Sequence, residues 1–333
     1  MTQYDSSIDK YEEYEEQFHP FNTDRRARRR RKPKARHVPK KSRRQVVSEI
    51  ADATGLEGGF HTTYQPSRHE EAWLLSSLRS FYEQTLISDV LAHVKGGKEA
   101  SVYHCEADPS TGVISLAAKV YRPRMFRAIR NDSMYRRGRA TLNAHGHDHD
   151  YARDQRIARA IGKKTAFGVQ VAHTSWLMHE YTALEQLYQA GGAVPQPIAA
   201  SENAILMSYL GDAQMAAPTL NTIDLGPDEA APLFQEMLRN VELMLQHDMV
   251  HGDLSAYNVL YWAGEITLID FPQVTHSCAN PNAYSILQRD IQRTCEYFAR
   301  QGVQCDPARI TDDLWSRYVK IDLDYREELD DVS

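Results

Sequence analysis

Three polar residues in the second half of the chain have the types and spacing that phosphoryl transfer requires. Asp253 and Asn258 lie five residues apart in the run His-Gly-Asp-Leu-Ser-Ala-Tyr-Asn, and Asp270 follows a predicted hairpin. Phosphoryl transfer needs an acceptor held in line and a divalent metal that neutralises phosphate charge. We expect Asp253 to face the acceptor hydroxyl. The amide carbonyl of Asn258 and the carboxylate of Asp270 suit a hard cation.

A structural interpretation of the same residues is a pair of polar turns that flank a hairpin, with Asp253 and Asp270 as caps. Either acid alone would more often be a cap of this kind. The full run from His251 to Asn258 is followed at hairpin distance by Leu-Ile-Asp-Phe at 268–271. This combination favours catalysis over capping.

A second candidate element lies upstream, where Gly96-Gly97-Lys98-Glu99-Ala100-Ser101-Val102 separates two predicted strands. Glycines at such a turn let backbone N–H groups approach phosphates, and Ser101 adds a hydroxyl donor. A glycine-turn hairpin is weak evidence by itself. It is not a Walker loop, because Lys98 does not end a GxxxxGK[ST] pattern before a helix.

Lys119 stands in the apolar run Ala-Ala-Lys-Val of a predicted strand. A lysine with apolar neighbours is costly to bury without an anion. In a kinase arrangement the anions are nucleotide phosphates and a helix glutamate, for which Glu180 is the best candidate. The structural alternative is an edge-strand lysine in water and a glutamate on the surface.

Together these motifs resemble the RIO family of atypical protein kinases, and most closely its first branch. GKEASVY at Gly97 to Tyr103, HGDLSAYN at His251 to Asn258 and LIDFPQ at Leu268 to Gln273 are similar to that family's phosphate loop, catalytic loop and metal loop. The resemblance covers about residues 68–325. It implies a serine/threonine protein kinase that uses ATP with Mg²⁺, or alternatively Mn²⁺, and acts on an unknown protein acceptor.

The resemblance also implies the roles of individual residues. Asp253 would be the catalytic base, Asn258 and Asp270 the metal ligands, and Asp270 an acceptor of phosphate in an aspartyl-phosphate ATPase cycle. Adenine would bond to the backbone of the hinge around Met207, Ser208, Tyr209 and Leu210. The residues implied to contact ATP are Gly97, Lys98, Ser101, Val102, Lys119, Glu180, Met207, Ser208 and Leu210.

Apolar periodicity predicts a two-lobed α+β architecture with a strand-rich N-lobe and a helical C-lobe. The resemblance implies that this is a protein-kinase-like fold with a truncated C-lobe. The predicted segments are a disordered arm at 1–45, acidic then basic, a linker at 46–67, a kinase domain at 68–325 and an acidic tail at 326–333. Within the domain, the N-lobe spans 68–207 with an insertion at 122–170, and the C-lobe spans 212–325. Predicted helices cover 73–86, 175–190, 230–247, 282–300 and 312–321. Predicted strands cover 87–94, 101–105, 114–121, 205–207, 259–262 and 266–269.

Charge divides the chain sharply. From Arg25 to Arg44 there are thirteen Lys or Arg and no acid, so subtracting them from the net charge of −6 leaves −19 for the rest. This indicates a basic arm on an acidic body, and the arm either contacts ribosomal RNA or is a solvated tail. No apolar run is long enough for a membrane span, and the four scattered cysteines are typical of the reducing cytoplasm.

Two other functions use the same residues. Aminoglycoside and choline kinase-like enzymes also have an HGDL…N loop, but they usually carry a larger helical domain after the metal-binding Asp. Only 63 residues follow Asp270 in this chain. A nucleotide-gated ribosome assembly factor would use ATP as a switch and the basic arm to hold RNA. The cluster His145, His147 and His149 is a weaker candidate for metal binding than for part of a flexible loop.

Overall fold

The computed structural model describes residues 60, 62–97, 99–122, 159, 161–163 and 165–319. The chain divides into two compact units, residues 1–127 and 128–333. The predicted arm, the histidine cluster, Lys98 and the acidic tail lie outside the described residues, as does most of the predicted linker. No helix in the described part is long and apolar enough to cross a membrane.

The first unit contains a helix, α1 (Arg68–Glu83), and three strands, β1 (Ile87–Gly96), β2 (Ala100–Ala107) and β3 (Ser115–Tyr121). The strands pair antiparallel in the order β1-β2-β3. Strand β3 is buried along nearly its whole length, because its residues are almost all small or apolar. The predicted strand–glycine turn–strand arrangement is therefore present.

Helix α1 begins with a capping box, and one of its faces is apolar. Ser67 is the N-cap, and its backbone N–H donates to the Glu70 carboxylate. Leu74, Leu78 and Phe81 recur at helical spacing and are fully buried. The apolar stripe predicted from the sequence thus packs into the core of this unit.

The second unit is mainly helical. Its helices are α2 (Ala166–Gln189), α3 (Pro227–Gln246), α4 (Ala283–Arg300) and α5 (Pro307–Tyr318). Its strands are β4 (Pro197–Ala200), β5 (Ala204–Ser208), β6 (Met249–Val250), β7 (Val259–Trp262), β8 (Glu265–Leu268) and β9 (Thr275–His276). The antiparallel pairs within this unit are β4 with β5, β6 with β9, and β7 with β8.

The β7–β8 hairpin agrees with the sequence prediction almost residue for residue. Its two-residue turn, Ala263 and Gly264, has positive φ at both positions, 52° and 86°. Such turns match the twist of the flanking strands, and they connect paired strands with the fewest residues. The hairpin brings the end of β8 back beside the start of β7, with Val259 opposite Leu268.

Helix α2 begins nine residues earlier than the sequence analysis predicted. Residues 166–170, assigned to the insertion, form its first turns, and the Thr165 hydroxyl caps them by accepting from the Gly168 N–H at 3.1 Å. The helix is buried on several sides, with Ala172, Trp176 and Leu177 all in the core. Its apolar residues are not confined to one face, so the start of the helix shows no amphipathic periodicity in the sequence.

Other elements also differ from the predictions, and helix α1 covers Arg68–Glu83 rather than residues 73–86. Strand β4 was not predicted, because a four-residue segment with a proline and two alanines carries little strand signal. Helix α5 begins at Pro307 rather than Asp312, since the Asp306 carboxylate caps it by accepting from the Arg309 N–H at 3.1 Å. It ends at Tyr318 instead of continuing to Ile321.

We predict that Tyr103→Phe destabilises the first unit. The Tyr103 hydroxyl is buried and donates to Glu70 Oε1 at 2.5 Å, so the variant loses a hydrogen bond to a charged group, about 1–3 kcal/mol. Urea unfolding measures the loss. Tyr188→Phe, on an exposed side chain, is the matched control and should change stability by less than about 0.5 kcal/mol.

The same variant has a pH signature. Burial and the hydrogen bond to Glu70 raise the pKa of Tyr103 above its ordinary value of 10.0. The folded state therefore keeps the proton longer than the unfolded state, so this stabilisation is complete below pH 10 and declines above it. The stability gap between wild type and Tyr103→Phe should narrow above pH 10, and a gap that widens there would contradict the assignment.

Candidate active site

The glycine turn of the first unit closes through its own backbone. The Gly97 N–H donates to the Ala100 carbonyl at 2.8 Å, and a Cβ at Gly97 would lie 3.1 Å from that oxygen. Ser101 is buried directly after the turn, and Val102 is half-buried. The predicted phosphate-contacting residues Gly97, Ser101 and Val102 therefore lie at the turn between β1 and β2.

Arg122 is a cation beside this turn that the sequence analysis missed. Its backbone N–H donates to the Glu99 carbonyl at 2.8 Å, and its Nη2 donates to Ser101 Oγ at 3.5 Å. Arg122 directly follows β3 and is the first of many arginines in the sequence there. The sequence analysis therefore did not single it out. The turn thus carries a guanidinium in addition to the predicted hydroxyl.

Lys119 is buried in strand β3. It is 9% exposed and lies opposite Val102 in the antiparallel register. Its Nζ lies 5.4 Å from the ring centroid of Tyr121, within the range of a cation–π contact. The alternative of an edge-strand lysine in water therefore does not hold, and its contact with nucleotide phosphates remains a prediction.

Glu180 is a buried carboxylate on helix α2. It is 1% exposed, and its Oε1 accepts a hydrogen bond from the Phe271 N–H at 3.3 Å. Because Phe271 directly follows Asp270, Glu180 helps to fix the backbone beside the predicted metal ligand. Its predicted ion pair with Lys119 remains a prediction.

The predicted adenine-binding hinge follows strand β5. The Ser208 N–H donates to the Gln196 carbonyl at 2.8 Å, and the Leu210 carbonyl accepts from the Ala217 N–H at 2.9 Å. Met207, at the end of β5, is buried. These two backbone groups already have partners within the protein, so adenine contacts would fall on other backbone groups of residues 207–210.

The catalytic loop is organised around the carboxylate of Asp253. Asn258 Nδ2 donates to Asp253 Oδ2 at 3.0 Å and to the Asp253 carbonyl at 2.9 Å. The amide nitrogen of Asn258 therefore faces Asp253, and the side-chain carbonyl oxygen is the atom that would bind a cation in the predicted role. Both residues are 5% exposed. The structure thus brings together the two residues that the sequence placed five positions apart.

Ile269 links the catalytic loop to Asp270. Its N–H donates to the Asn258 carbonyl at 2.9 Å, and its carbonyl oxygen lies 3.2 Å from His251 Nε2. His251 Nδ1 accepts from the Asp253 N–H at 3.3 Å, so the proton of the imidazole lies on Nε2 and is donated to Ile269. Both sides of the main chain before Asp270 are therefore held by the catalytic loop.

Asp270 itself has a left-handed backbone, with φ of 73°. A non-glycine residue in this region is sterically costly and persists only where its surroundings fix it. The bonds to Ile269 on one side and to Phe271 on the other supply that constraint. The unusual backbone turns the chain at the predicted metal ligand.

Gly252 permits a close approach between the catalytic loop and the segment after Asp270. Its φ is 86°, and a Cβ at this position would lie 2.4 Å from the Gln273 carbonyl oxygen. No side chain fits in that gap without moving backbone. The glycine of the HGDLSAYN motif is therefore a requirement of packing between two functional loops.

Helix α4 supplies three buried charged residues to the catalytic loop, and the sequence analysis missed all three. Asp290 Oδ2 accepts from the Gly252 N–H at 2.8 Å, and Arg289 Nη2 donates to the Gly252 carbonyl. Arg293 Nη1 donates to Asp253 Oδ1 at 2.7 Å. A signal was present, because Asp290 and Arg293 occupy helical positions in phase with buried Ile286.

Burial raises the pKa of Asp290 above its ordinary value. The positive charges of Arg289 and Arg293 oppose that rise, as does the electrostatic interaction with His251, and the negative charge of Asp253 adds to it. Two arginines therefore balance two carboxylates in a region of low solvent access. Charges in such surroundings are stable only when each has a close partner.

The fold is that of a two-lobed protein-kinase-like α+β protein. Two solved structures of the Rio2 kinase from Chaetomium thermophilum share this fold, each with a TM-score of 0.51. One of them, in complex with ADP, Mg²⁺ and phosphoaspartate, is 19% identical and covers 84% of this chain and 76% of its own. The predicted fold class is confirmed.

The chain belongs to the RIO domain family, whose model matches residues 101–310. The serine/threonine-protein kinase rio1 of Schizosaccharomyces pombe is 29% identical over 222 residues, which cover 66% of this chain and 40% of that protein. The RIO-type serine/threonine-protein kinase Rio1 of Haloferax volcanii is 30% identical over 216 residues, 64% of each chain. The resemblance seen in the motifs is confirmed, and the chain spans less than two thirds of these relatives' length.

We predict that Gly252→Ala is more destabilising than Gly264→Ala. Both glycines have φ of 86°, but a Cβ at Gly264 meets nothing within 4 Å, whereas one at Gly252 meets the Gln273 carbonyl. Gly264→Ala should therefore cost roughly 1–2 kcal/mol of backbone strain. Gly252→Ala should cost about 1–3 kcal/mol more in urea unfolding. Equal losses would show that the two loops are not closely packed.

Proposed function

We propose that the chain is an ATP- and Mg²⁺-dependent phosphotransferase, a RIO-type serine/threonine protein kinase with ATPase activity through an aspartyl-phosphate at Asp270. The observation that carries this proposal is the double hydrogen bonding of Ile269, which joins the loop of Asp253 and Asn258 to Asp270. Phosphoryl transfer depends mainly on such fixed positions, because catalysis here is positioning and charge stabilisation.

The residues present suit a nucleotide–metal group. Asn258 offers an amide carbonyl and Asp270 a carboxylate, both oxygen ligands that Mg²⁺ prefers. The Ser255 hydroxyl, between Asp253 and Asn258, is buried and has no hydrogen-bond partner within the described part of the chain. A buried polar atom without a partner is costly unless a ligand supplies one. When bound, the metal would neutralise charge on the nucleotide phosphates.

Each remaining side chain has a distinct task in this proposal. Asp253 orients the acceptor hydroxyl and accepts its proton. Lys119 would contact the nucleotide phosphates and pair with Glu180, and the residues Gly97, Lys98, Ser101 and Val102 would contact the phosphates. Met207, Ser208 and Leu210 border the adenine through their backbone. Asp270 would hold the metal and, in the ATPase cycle, its carboxylate oxygen would form a bond to the γ-phosphorus as the bond to ADP breaks; water would then hydrolyse the aspartyl-phosphate and release phosphate.

A protein acceptor is favoured over a small-molecule acceptor, because the chain belongs to a family whose named relatives here are protein kinases. The complex of the Rio2 kinase with ADP, Mg²⁺ and phosphoaspartate supports the ATPase part of the proposal by analogy. We also place the protein in the cytoplasm. This location rests on the scattered cysteines and on the absence of an apolar run in the sequence.

We predict that Asp270→Ala abolishes Mg²⁺-dependent ATP turnover, because no other acid replaces its carboxylate. The loss should be at least about 100-fold, since a metal ligand contributes several kcal/mol to charge stabilisation. Turnover is measured as phosphate release, with Asp313→Ala on the exposed surface of α5 as the matched control. Near-normal turnover in Asp270→Ala would contradict the metal-binding assignment.

The basic arm, Arg25 to Arg44, supports a second part of the proposal, contact with ribosomal RNA. Its thirteen cations carry no compensating acid. Each phosphate that they neutralise should add about −0.9 to the slope of log binding affinity against log salt concentration, which is the value for duplex DNA. The contribution is smaller on single strands. In this part of the proposal, ATP turnover would control a step of ribosome assembly.

We predict that deletion of residues 1–45 leaves ATP turnover unchanged within twofold but weakens RNA binding and flattens its salt dependence. Fluorescence anisotropy with a labelled ribosomal RNA fragment at several salt concentrations measures both effects. The unchanged turnover is the control for folding. Identical affinity and slope with and without the arm would remove RNA contact from the proposal.

A further inference from the structure

Helix α4 reaches the catalytic carboxylate through a residue that the kinase motifs do not include. Arg293 is 1% exposed, and its Nη1 lies 2.7 Å from Asp253 Oδ1. It is also the largest fully buried side chain described. A guanidinium has therefore been withdrawn from water, and it contacts a carboxylate oxygen of Asp253.

Stability alone is a poor explanation for this pair. Burying two charges costs several kcal/mol per ion, and apolar residues of similar volume often replace such pairs without loss. On the same face of α4, Ile286 is apolar and fully buried, while Arg289 and Asp290 contact the backbone of Gly252. This face therefore serves the loop of Asp253 as well as packing, and Arg293 continues it.

The geometry points to a positioning function. Asp253 Oδ1 accepts from Arg293, and Asp253 Oδ2 accepts from Asn258 Nδ2 at 3.0 Å. Two donors on opposite oxygens fix the rotation of a carboxylate about its Cβ–Cγ bond. A carboxylate oxygen has two lone pairs, so it can accept from an acceptor hydroxyl as well as from a protein donor.

The rest of α4 holds the backbone to which that carboxylate is attached. Asp290 accepts from the Gly252 N–H, and Arg289 donates to the Gly252 carbonyl, so the residue before Asp253 is bound on both sides. Arg289 Nη2 also donates to Asp290 Oδ1 at 3.2 Å. One helix therefore fixes both the main chain and the side chain at the catalytic position.

We propose that Arg293 is a positioning residue for phosphoryl transfer, acting through Asp253 by holding its carboxylate in the orientation that receives the acceptor hydroxyl. The proposal rests on the phosphotransferase function argued above. Arginine suits this task better than lysine, because its planar guanidinium has fixed donor directions. Without it, Asp253 would rotate about its side-chain bonds, and the reacting groups would be misplaced.

The test compares Arg293→Met, Arg293→Lys and Arg300→Met. Arg300 lies on the same helix and is exposed, so its substitution is the matched control. Arg293→Met should lower kcat by on the order of 100-fold, the effect of a misplacement near 1 Å, while the Kd for ATP stays within twofold. Arg293→Lys should lie between Met and wild type, and Arg300→Met should match wild type.

Arg293→Met removes the ion-pair partner of Asp253, so thermal unfolding is used to check that the variant folds. The double variant Asp253→Asn/Arg293→Met removes both charges. If Arg293 acts only through Asp253, single-turnover rates of the double variant and of Asp253→Asn should agree within threefold. A clearly slower double variant would overturn the proposal in favour of a structural role.

The remaining outcomes separate this inference from the function on which it rests. Wild-type protein that turns over ATP, with Arg293→Met equally fast, would overturn the positioning role and leave the phosphotransferase intact. Folded wild-type protein without Mg²⁺-dependent turnover would overturn both. A fall in kcat matched by an equal loss of ATP affinity would also contradict positioning, because it would indicate a general disturbance of the site.

Discussion

The proposed active site depends on two hydrogen bonds made by the main chain of Ile269. Its N–H is held by the carbonyl of Asn258, and its carbonyl oxygen is held by the imidazole of His251. Both partners belong to the catalytic loop, whereas the next residue is Asp270. The spacing between the two functional loops is therefore set by backbone geometry rather than by flexible side chains. A left-handed φ at Asp270 is tolerated because the residues on either side are fixed in this way.

Charge burial is the second constraint, and it explains why helix α4 has arginine and aspartate on an otherwise apolar face. The catalytic loop contributes one carboxylate, Asp253, and unpaired it would be expensive to bury. Arg289, Asp290 and Arg293 complete a neutral group of four charges, in which every member has a close partner. Removal of one member leaves an uncompensated charge in low dielectric, so these residues act as a unit.

Much of this arrangement could be predicted from local sequence. The catalytic loop is a contiguous run, and the turn at Ala263 and Gly264 fixes the distance from Asn258 to Asp270. Helix α2 was predicted too short because it is buried on several sides and lacks an amphipathic stripe. Arg293 was not identified, since its partner lies forty positions away and only the folded chain brings them together. Arg122 was overlooked among its many neighbouring arginines.

The hinge illustrates a further limit of sequence reasoning. Residues 207–210 were predicted as backbone partners of adenine, but a sequence does not show which main-chain groups are already used. The structure assigns the Ser208 N–H to Gln196 and the Leu210 carbonyl to Ala217. Backbone hydrogen bonding is a property of tertiary pairing, so residue identity does not determine it.

The most direct test is incubation of the full chain with Mg²⁺ and γ-labelled ATP, followed by acid and hydroxylamine treatment of the labelled protein. We expect Mg²⁺-dependent label that is partly hydroxylamine-labile, as an aspartyl-phosphate is, and that this fraction disappears in Asp270→Asn. Acid-stable, hydroxylamine-resistant label would report transfer to serine or threonine. Folded protein that neither turns over ATP nor retains label with Mg²⁺ would contradict the account, as would a labile fraction that persists in Asp270→Asn.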